Sequence, residues 1–300
     1  MKKYGIPYMG SKDKIAASLA LNFPKAEHFY DLFGGGFSMS HYMLENKFNK
    51  YKHFHYNEIK SGVVDLVKKA IAGEFNYNRF KPDWITREEF FAKKDTDEYI
   101  RLIWSFGNDG RSYLFGKEIE DQKRSLHMAI VFDEFDDFAF SVLGFKKWPA
   151  IAKTIKQKRI YVRQKVIYLM NKRCDMQQLE QLERLQQLER LQQLEQLERL
   201  ERLERLNIYS KDYRDVPILN NSVVYCDIPY KDTKDYQNDF NHNEFYDWAM
   251  SRDFPVFVSE YNIEDPRFKL IYSVEKRSLL SSEGEVNIKS ENLYWNGVSN

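Results

Sequence analysis

A short aromatic run, His28 to Phe33, ends in three consecutive glycines, Gly34 to Gly36, and is followed by a helix-length stretch and a second aromatic run, Lys52 to Tyr56. No other feature constrains the fold as much. Runs rich in aromatic β-formers on either side of a helical stretch predict strand, glycine turn, helix (Phe37 to Lys47) and strand. Two strands joined through a helix pair in parallel, and parallel sheets need helices on their faces. The glycines open the helix, and without a Cβ they let backbone approach a ligand closely. Glu58 follows the second strand at about the 20-residue spacing where an acid reaches ribose hydroxyls in nucleotide-binding βαβ units. The glycines alone fit a plain tight turn equally well; with Glu58 so placed, a nucleoside ligand becomes the better reading. The run is not GxGxxG, which weighs against a dinucleotide.

The strand pattern resumes far downstream, at Asn207 to Tyr209, Ser222 to Cys226 and Pro255 to Tyr261, with a closing pair at Phe268 to Val274 and Asn292 to Trp295. The expected fold is therefore α/β: a Rossmann-like, mostly parallel sheet interrupted by an inserted helical region. Residues 1–60 and 207–300 form the sheet domain in this reading, 61–176 the insertion, and 177–206 a spacer. With 43% hydrophobic residues in 300, a sizeable core is within reach. Net charge is only +1, so any nucleic-acid partner must be met by a local patch. Cys174 and Cys226 belong to no Cys/His cluster, which excludes a disulfide framework or zinc site, and no metal is expected. No run approaches membrane-spanning length, and a cytoplasmic location is expected.

The spacer has leucine at every third position from Leu179 to Leu206, with Glu, Arg and Gln between. Its residues favour helix. A period of three makes leucines spiral around an α-helix, so the segment is expected to form a length-tolerant rod that packs strongly on nothing.

Val223 to Cys226 reads as a buried strand delivering Asp227-Ile228-Pro229-Tyr230 at its carboxyl end, where open α/β sheets bind ligands. The tetrapeptide suits an amino group on a flat ring. Such a nitrogen is a weak nucleophile because its lone pair is delocalised. A carboxylate (Asp227) and a backbone carbonyl (Ile228) that accept its two N–H bonds favour a pyramidal nitrogen able to attack in line. Tyr230 offers a stacking face for an extruded base. A strand followed by an ordinary proline turn gives the same four letters by chance, so the combination with the glycine end carries the reading.

In Ile6-Pro7-Tyr8-Met9-Gly10-Ser11-Lys12, Asp31 to Gly36, Asn57-Glu58 and Asp227 to Tyr230 the chain resembles the Dam-like adenine-N6 DNA methyltransferases, especially phage and prophage members. The resemblance implies S-adenosylmethionine as cofactor and double-stranded DNA as partner. It implies that Tyr8, Met9 and Lys12 contact the cofactor, that Asp31, Phe33, Gly34, Gly35 and Gly36 cradle it with Asp227 at its edge, that Glu58 holds its ribose, and that Asp212 lies near its adenine. The family's usual tetrapeptide is Asp-Pro-Pro-Tyr. Ile228 keeps the carbonyl but loses stiffness, although Pro229 still biases it toward extended geometry. Phe37 stands where many members have a small residue.

Residues 146–173 contain ten Lys or Arg and no Asp or Glu, a one-sided segment that reads as a phosphate-binding surface carried by Lys146, Lys147, Lys156, Lys158 and Arg159. Phe106 to Tyr113 resembles the family's base-probing loop, with Asn108 suited to adenine edges, Arg111 to guanine or phosphate, and Tyr113 to stacking. The same tetrapeptide chemistry also serves cytosine N4 or RNA, and a DNA-binding relative weakened at Ile228 is a further alternative. The DNA sequence read and the oligomeric state are not encoded legibly.

Overall fold

The computed structural model describes residues 3–170, 184–231, 240–278 and 287–299. The chain divides into two compact units, the first comprising residues 1–5, 11–64 and 200–300, the second 6–10 and 65–199.

The first unit is built on strands β1 (His28–Asp31), β2 (His53–Asn57), β3 (Leu206–Tyr209), β4 (Ser222–Asp227), β5 (Val256–Glu260), β6 (Lys269–Ser278) and β7 (Asn287–Trp295). They form one sheet in the order β3-β2-β1-β4-β5-β7-β6. The strands from β3 to β5 run parallel, whereas β7 pairs antiparallel with both β5 and β6. Parallel strands carry apolar residues on both faces because helices cover them. Accordingly Phe29, Tyr30, Val223, Val224, Tyr225, Val256 and Val258 are all buried. From β1 the chain steps outward to β2 and β3, then returns to lay β4 on the other side of β1. That reversal leaves a crevice at the carboxyl ends of β1 and β4, the place where doubly wound sheets bind ligands. Helix α1 (Ala16–Ala20) precedes β1, and α2 (Ser38–Asn46) follows the glycine turn. The closing hairpin extends well beyond the short strands expected from sequence.

Helix α3 (Ser61–Ile71) leads into the second unit, which contains α4 (Arg87–Lys93), α5 (Glu98–Ile103), α6 (Glu120–Phe132), α7 (Asp137–Leu143), α8 (Ile155–Met170) and α9 (Gln186–Glu195). Thr86 and Glu89 form a reciprocal capping box that starts α4. Trp84, Phe90, Trp104, Tyr113, Phe115 and His127 are buried in its core.

The leucine repeat corrects an expectation. Leu185, Leu188, Leu191, Leu194 and Leu197 are buried, and the repeat up to Arg199 belongs to the helical unit instead of standing apart as a loosely packed rod. Each three-residue step falls about 60° short of a full α-helical turn, so over the short α9 the leucines stay within one half of the surface. The chain then tightens into 3-10 turns at Gln196–Arg199 and Leu203–Arg205. The part of the repeat before Arg184 lies outside the described residues, as do Lys172, Arg173 and Cys174.

Candidate active site

The glycine turn is tied to both neighbouring strands. Gly34 N donates to Asn57 O at 2.8 Å, and the Tyr56 hydroxyl donates to Gly35 O at 2.7 Å. A Cβ on Gly34 would lie 2.3 Å from the Tyr56 ring, and one on Gly5 only 2.1 Å from Gly36 O, so neither position admits a larger residue without a shift. Phe37 takes a left-handed φ of 67° as it opens α2, and its buried ring meets Tyr56 edge-on at 5.0 Å. It therefore packs behind the turn and supports it. Phe33 packs against Tyr213, Phe240 and Phe245.

Two carboxylates flank the turn. Glu58 accepts from Gly35 N and from Lys60 N, each at 3.0 Å, which fixes its orientation against the glycines. Asp31, at the end of β1, accepts from Ser40 N and Oγ at 3.1 and 2.7 Å through one oxygen. Its other oxygen, Oδ1, is buried with no hydrogen-bond partner among the described residues. Burial, with smaller contributions from Asp227 and Glu58 that outlast the opposing Ser40 bonds, pushes the Asp31 carboxyl up to about 7. Asp212 caps a turn by accepting from Arg214 N at 2.9 Å and is paired with the Arg214 guanidinium at 2.8 Å.

The tetrapeptide meets the N-terminal segment and β7 in one charge network. Buried Lys12 contacts Asp227 at 2.7 Å and Glu291 at 3.3 Å. Burial alone would lower its pKa, but the two carboxylates outweigh that and hold it above the usual lysine range. The Lys12 ammonium also lies 5.0 Å from the centre of the Tyr230 ring. The Tyr230 hydroxyl donates to Glu291, and its ring meets Tyr261 edge-on at 4.4 Å. Pro229 O is 2.8 Å from His242 Nε2. The Ile228 side chain is buried in the core beside Val224, Cys226 and Phe245, so this departure from the family pattern fills space behind the site. Neighbouring Glu260 is buried, accepts from Tyr261 N at 2.7 Å, and has its carboxyl pushed up to about 7 by burial.

Lys12, Asp31, Glu58 and Asp227 are thus gathered around one crevice. Sequence reading missed Glu291, Glu260 and His242. The alternation in Glu291-Asn292-Leu293-Tyr294-Trp295 gave a strand, but nothing local marked its first carboxylate as inward-facing. Tyr8 and Met9 belong to the second unit, where Tyr8 interacts electrostatically with Arg101.

Within the second unit the expected DNA-facing residues divide. Arg111 is exposed, and so are Lys146, Lys147 and Lys156. Two others are corrected. Tyr113 is only 5% exposed and its hydroxyl donates to Ile85 O at 2.6 Å, which leaves it in the core instead of at a stacking surface. Lys158 is buried and ion-paired with Asp133. Half-buried Arg159 donates to Gln192 at 2.8 Å. A count of basic residues cannot separate those that point inward. Asn108 spends one amide hydrogen on Leu102 O at 2.8 Å, shaping its own loop. The exposed aromatic of that loop is Phe106, at 55%.

Among the described residues no group of three or more His, Cys, Asp or Glu side chains is arranged to hold a metal ion, and no helix is long and apolar enough to cross a membrane. No curated protein sequence matches the chain. The model of the D12 class N6 adenine-specific DNA methyltransferase family matches residues 8–290, and the chain belongs to that family.

Proposed function

We propose that this D12-class adenine-N6 DNA methyltransferase takes its methyl group from S-adenosylmethionine bound at the crevice between β1 and β4, with Asp227 as the residue nearest the chemistry. The observation that carries this reading is the excess of buried carboxylate there. Asp31, Glu58, Glu260 and Glu291 are buried there and Asp227 is partly buried, buried Lys12 pairs with Asp227 and Glu291, and Asp31 Oδ1 is an acceptor without a donor among the described residues. Such a site is complementary to a cationic ligand. S-adenosylmethionine supplies a methyl group on a positively charged sulfur and also carries an ammonium.

In this reading Gly34, Gly35 and Gly36 let the ligand approach the backbone, Asp31 accepts from its ammonium, Phe33 lines the crevice, and Glu58 holds its ribose. The family pattern adds Tyr8 and Met9 on the methionine side and Asp212 near the adenine. The target amino group gives its two hydrogens to the Asp227 carboxylate and Ile228 O, which directs its lone pair at the methyl carbon. Asp227 is paired with Lys12, and its role is to accept a hydrogen bond and orient the nitrogen. Glu291 and Lys12 hold Tyr230 at the height where its ring meets an extruded base. Phe106 and Arg111 probe the DNA, and Lys146, Lys147 and Lys156 contact phosphates.

Calorimetry with S-adenosylmethionine, combined with methylation-aware sequencing of DNA from cells expressing the chain, tests this. N6-methyladenine at a defined site and saturable cofactor binding are expected. N4-methylcytosine in its place, or failure of the purified protein to bind the cofactor, would overturn the assignment.

A further inference from the structure

The leucine repeat reaches the loop between α5 and Tyr113 through one side chain. Nη1 of Arg190, within α9, donates to Ile103 O and Ser105 O at 2.6 Å each and lies 3.3 Å from Leu102 O. These carbonyls end α5 and begin the loop. A helix leaves its last carbonyls without internal partners, and a cation there also meets the negative end of the helix dipole. Burial pulls the Arg190 guanidinium down to about 10, against the pull of Asp109 within the loop itself.

The loop is closed from its own side as well. Phe106 N donates to Ser112 O at 2.8 Å, Gly110 N donates to Ser105 Oγ at 3.1 Å, and Asn108 shares Leu102 O with Arg190. Its stem is thereby fixed, while Phe106, Gly107, Arg111 and Ser112 face outward. Arg190 cannot shift independently, because Leu188, Leu191 and Leu194 hold α9 in the core.

We infer that Arg190 is a positioning residue for target recognition, through which the leucine repeat sets where Phe106 and Arg111 stand against the bases. This rests on the proposal that the loop meets DNA, and it gives the repeat a role in specificity.

The test uses the full chain and compares methylation of the preferred site with that of sites changed by one base, measuring kcat, KM for DNA and cofactor affinity. Arg190→Gln is expected to raise KM for DNA and to erode the preference at least about tenfold, on the scale of one lost base contact. Its cofactor affinity and kcat at saturating DNA should stay close to the parent's. Arg190→Lys keeps the charge without the reach to all three carbonyls, and should fall between the two. A lowered melting temperature with parental discrimination in either variant would make Arg190 a fold stabiliser only and overturn the inference. If Arg190→Gln does not fold, Arg190→Lys decides alone, since a partial loss supports positioning and parental discrimination refutes it. Phe106→Ala and Arg111→Ala run alongside. Unchanged DNA recognition in both would instead overturn the reading of the loop as a DNA contact.

Discussion

The two units bury polar groups of opposite kinds. In the sheet unit the buried charged groups are mostly carboxylates, and they accept from backbone N–H groups, from Ser40 and from Lys12. In the helical unit Lys123 and Arg190 end on main-chain carbonyls, as do His127, Trp148 and Tyr113. Each of these donors is satisfied by a main-chain carbonyl, as buried donors generally are. The buried charge of the sheet unit is an excess of carboxylate, which in the proposed function a cationic ligand would balance, whereas that of the helical unit is spent largely within the unit itself.

The largest effect should come from the sheet unit. Asp227→Ala is expected to cut methyl transfer by at least ~10³-fold, the upper range for losing one preorganised transition-state contact, while circular dichroism stays that of the parent. Substantial turnover by the folded variant would mean that the carboxylates serve binding alone. Next comes a purely structural change in the other unit. Leu191→Ala removes a fully buried side chain and should lower unfolding free energy by about 2–5 kcal/mol in denaturant titration. A loss under about 0.5 kcal/mol, the range of ordinary surface substitutions, would restore the loose rod that the repeat's period suggests.

Glu58→Ala should weaken cofactor binding by about 1.5–3 kcal/mol for each charge-assisted bond lost, read by calorimetry, with DNA affinity in the absence of cofactor unchanged. Part of that loss comes from releasing Gly35 N, so Glu58→Gln, which retains an acceptor, should lose less. The last effect concerns pH. The Asp31 carboxyl has an ordinary value of 3.8 and lies at about 7 in the folded chain. The folded state therefore holds a proton that the unfolded chain has released, and ligand-free stability from this group falls as pH rises from about 4 to 7. Asp31→Asn should flatten that slope in melting curves. A cationic ligand favours the ionised form, so cofactor affinity in the parent should rise through the same window and should not in the variant.

Much of the sheet unit was legible because its signals are local. Aromatic runs flanking Gly34 to Gly36 define a strand, a turn and a helix within a few dozen residues, and Glu58 follows at a fixed remove. Glu291 and Glu260 were not legible, because an antiparallel register brings them to the site, setting Asn292 opposite Glu260. The repeat was misread through one assumption, a long rod. Over the short α9 a period of three carries the leucines around only part of the circumference, and they are buried. Tyr113 and Lys158 were misassigned because residue type gives no direction: the same lysine serves a phosphate or an internal aspartate according to which way its helix face turns.

The position of β7 bears on when this enzyme becomes active. All but the outermost residues of the chain lie between Lys12 and Glu291, yet the two are in contact. During synthesis the ammonium is made 279 residues ahead of its second carboxylate. At roughly 5–20 residues per second, about 14 to 56 s separate them. A nascent chain that has completed the tetrapeptide still lacks the strand that holds Tyr230 and Lys12 in place. Closing so distant a pair is slow for reasons of loop entropy, and in the proposed function β7 would be the strand that completes the site.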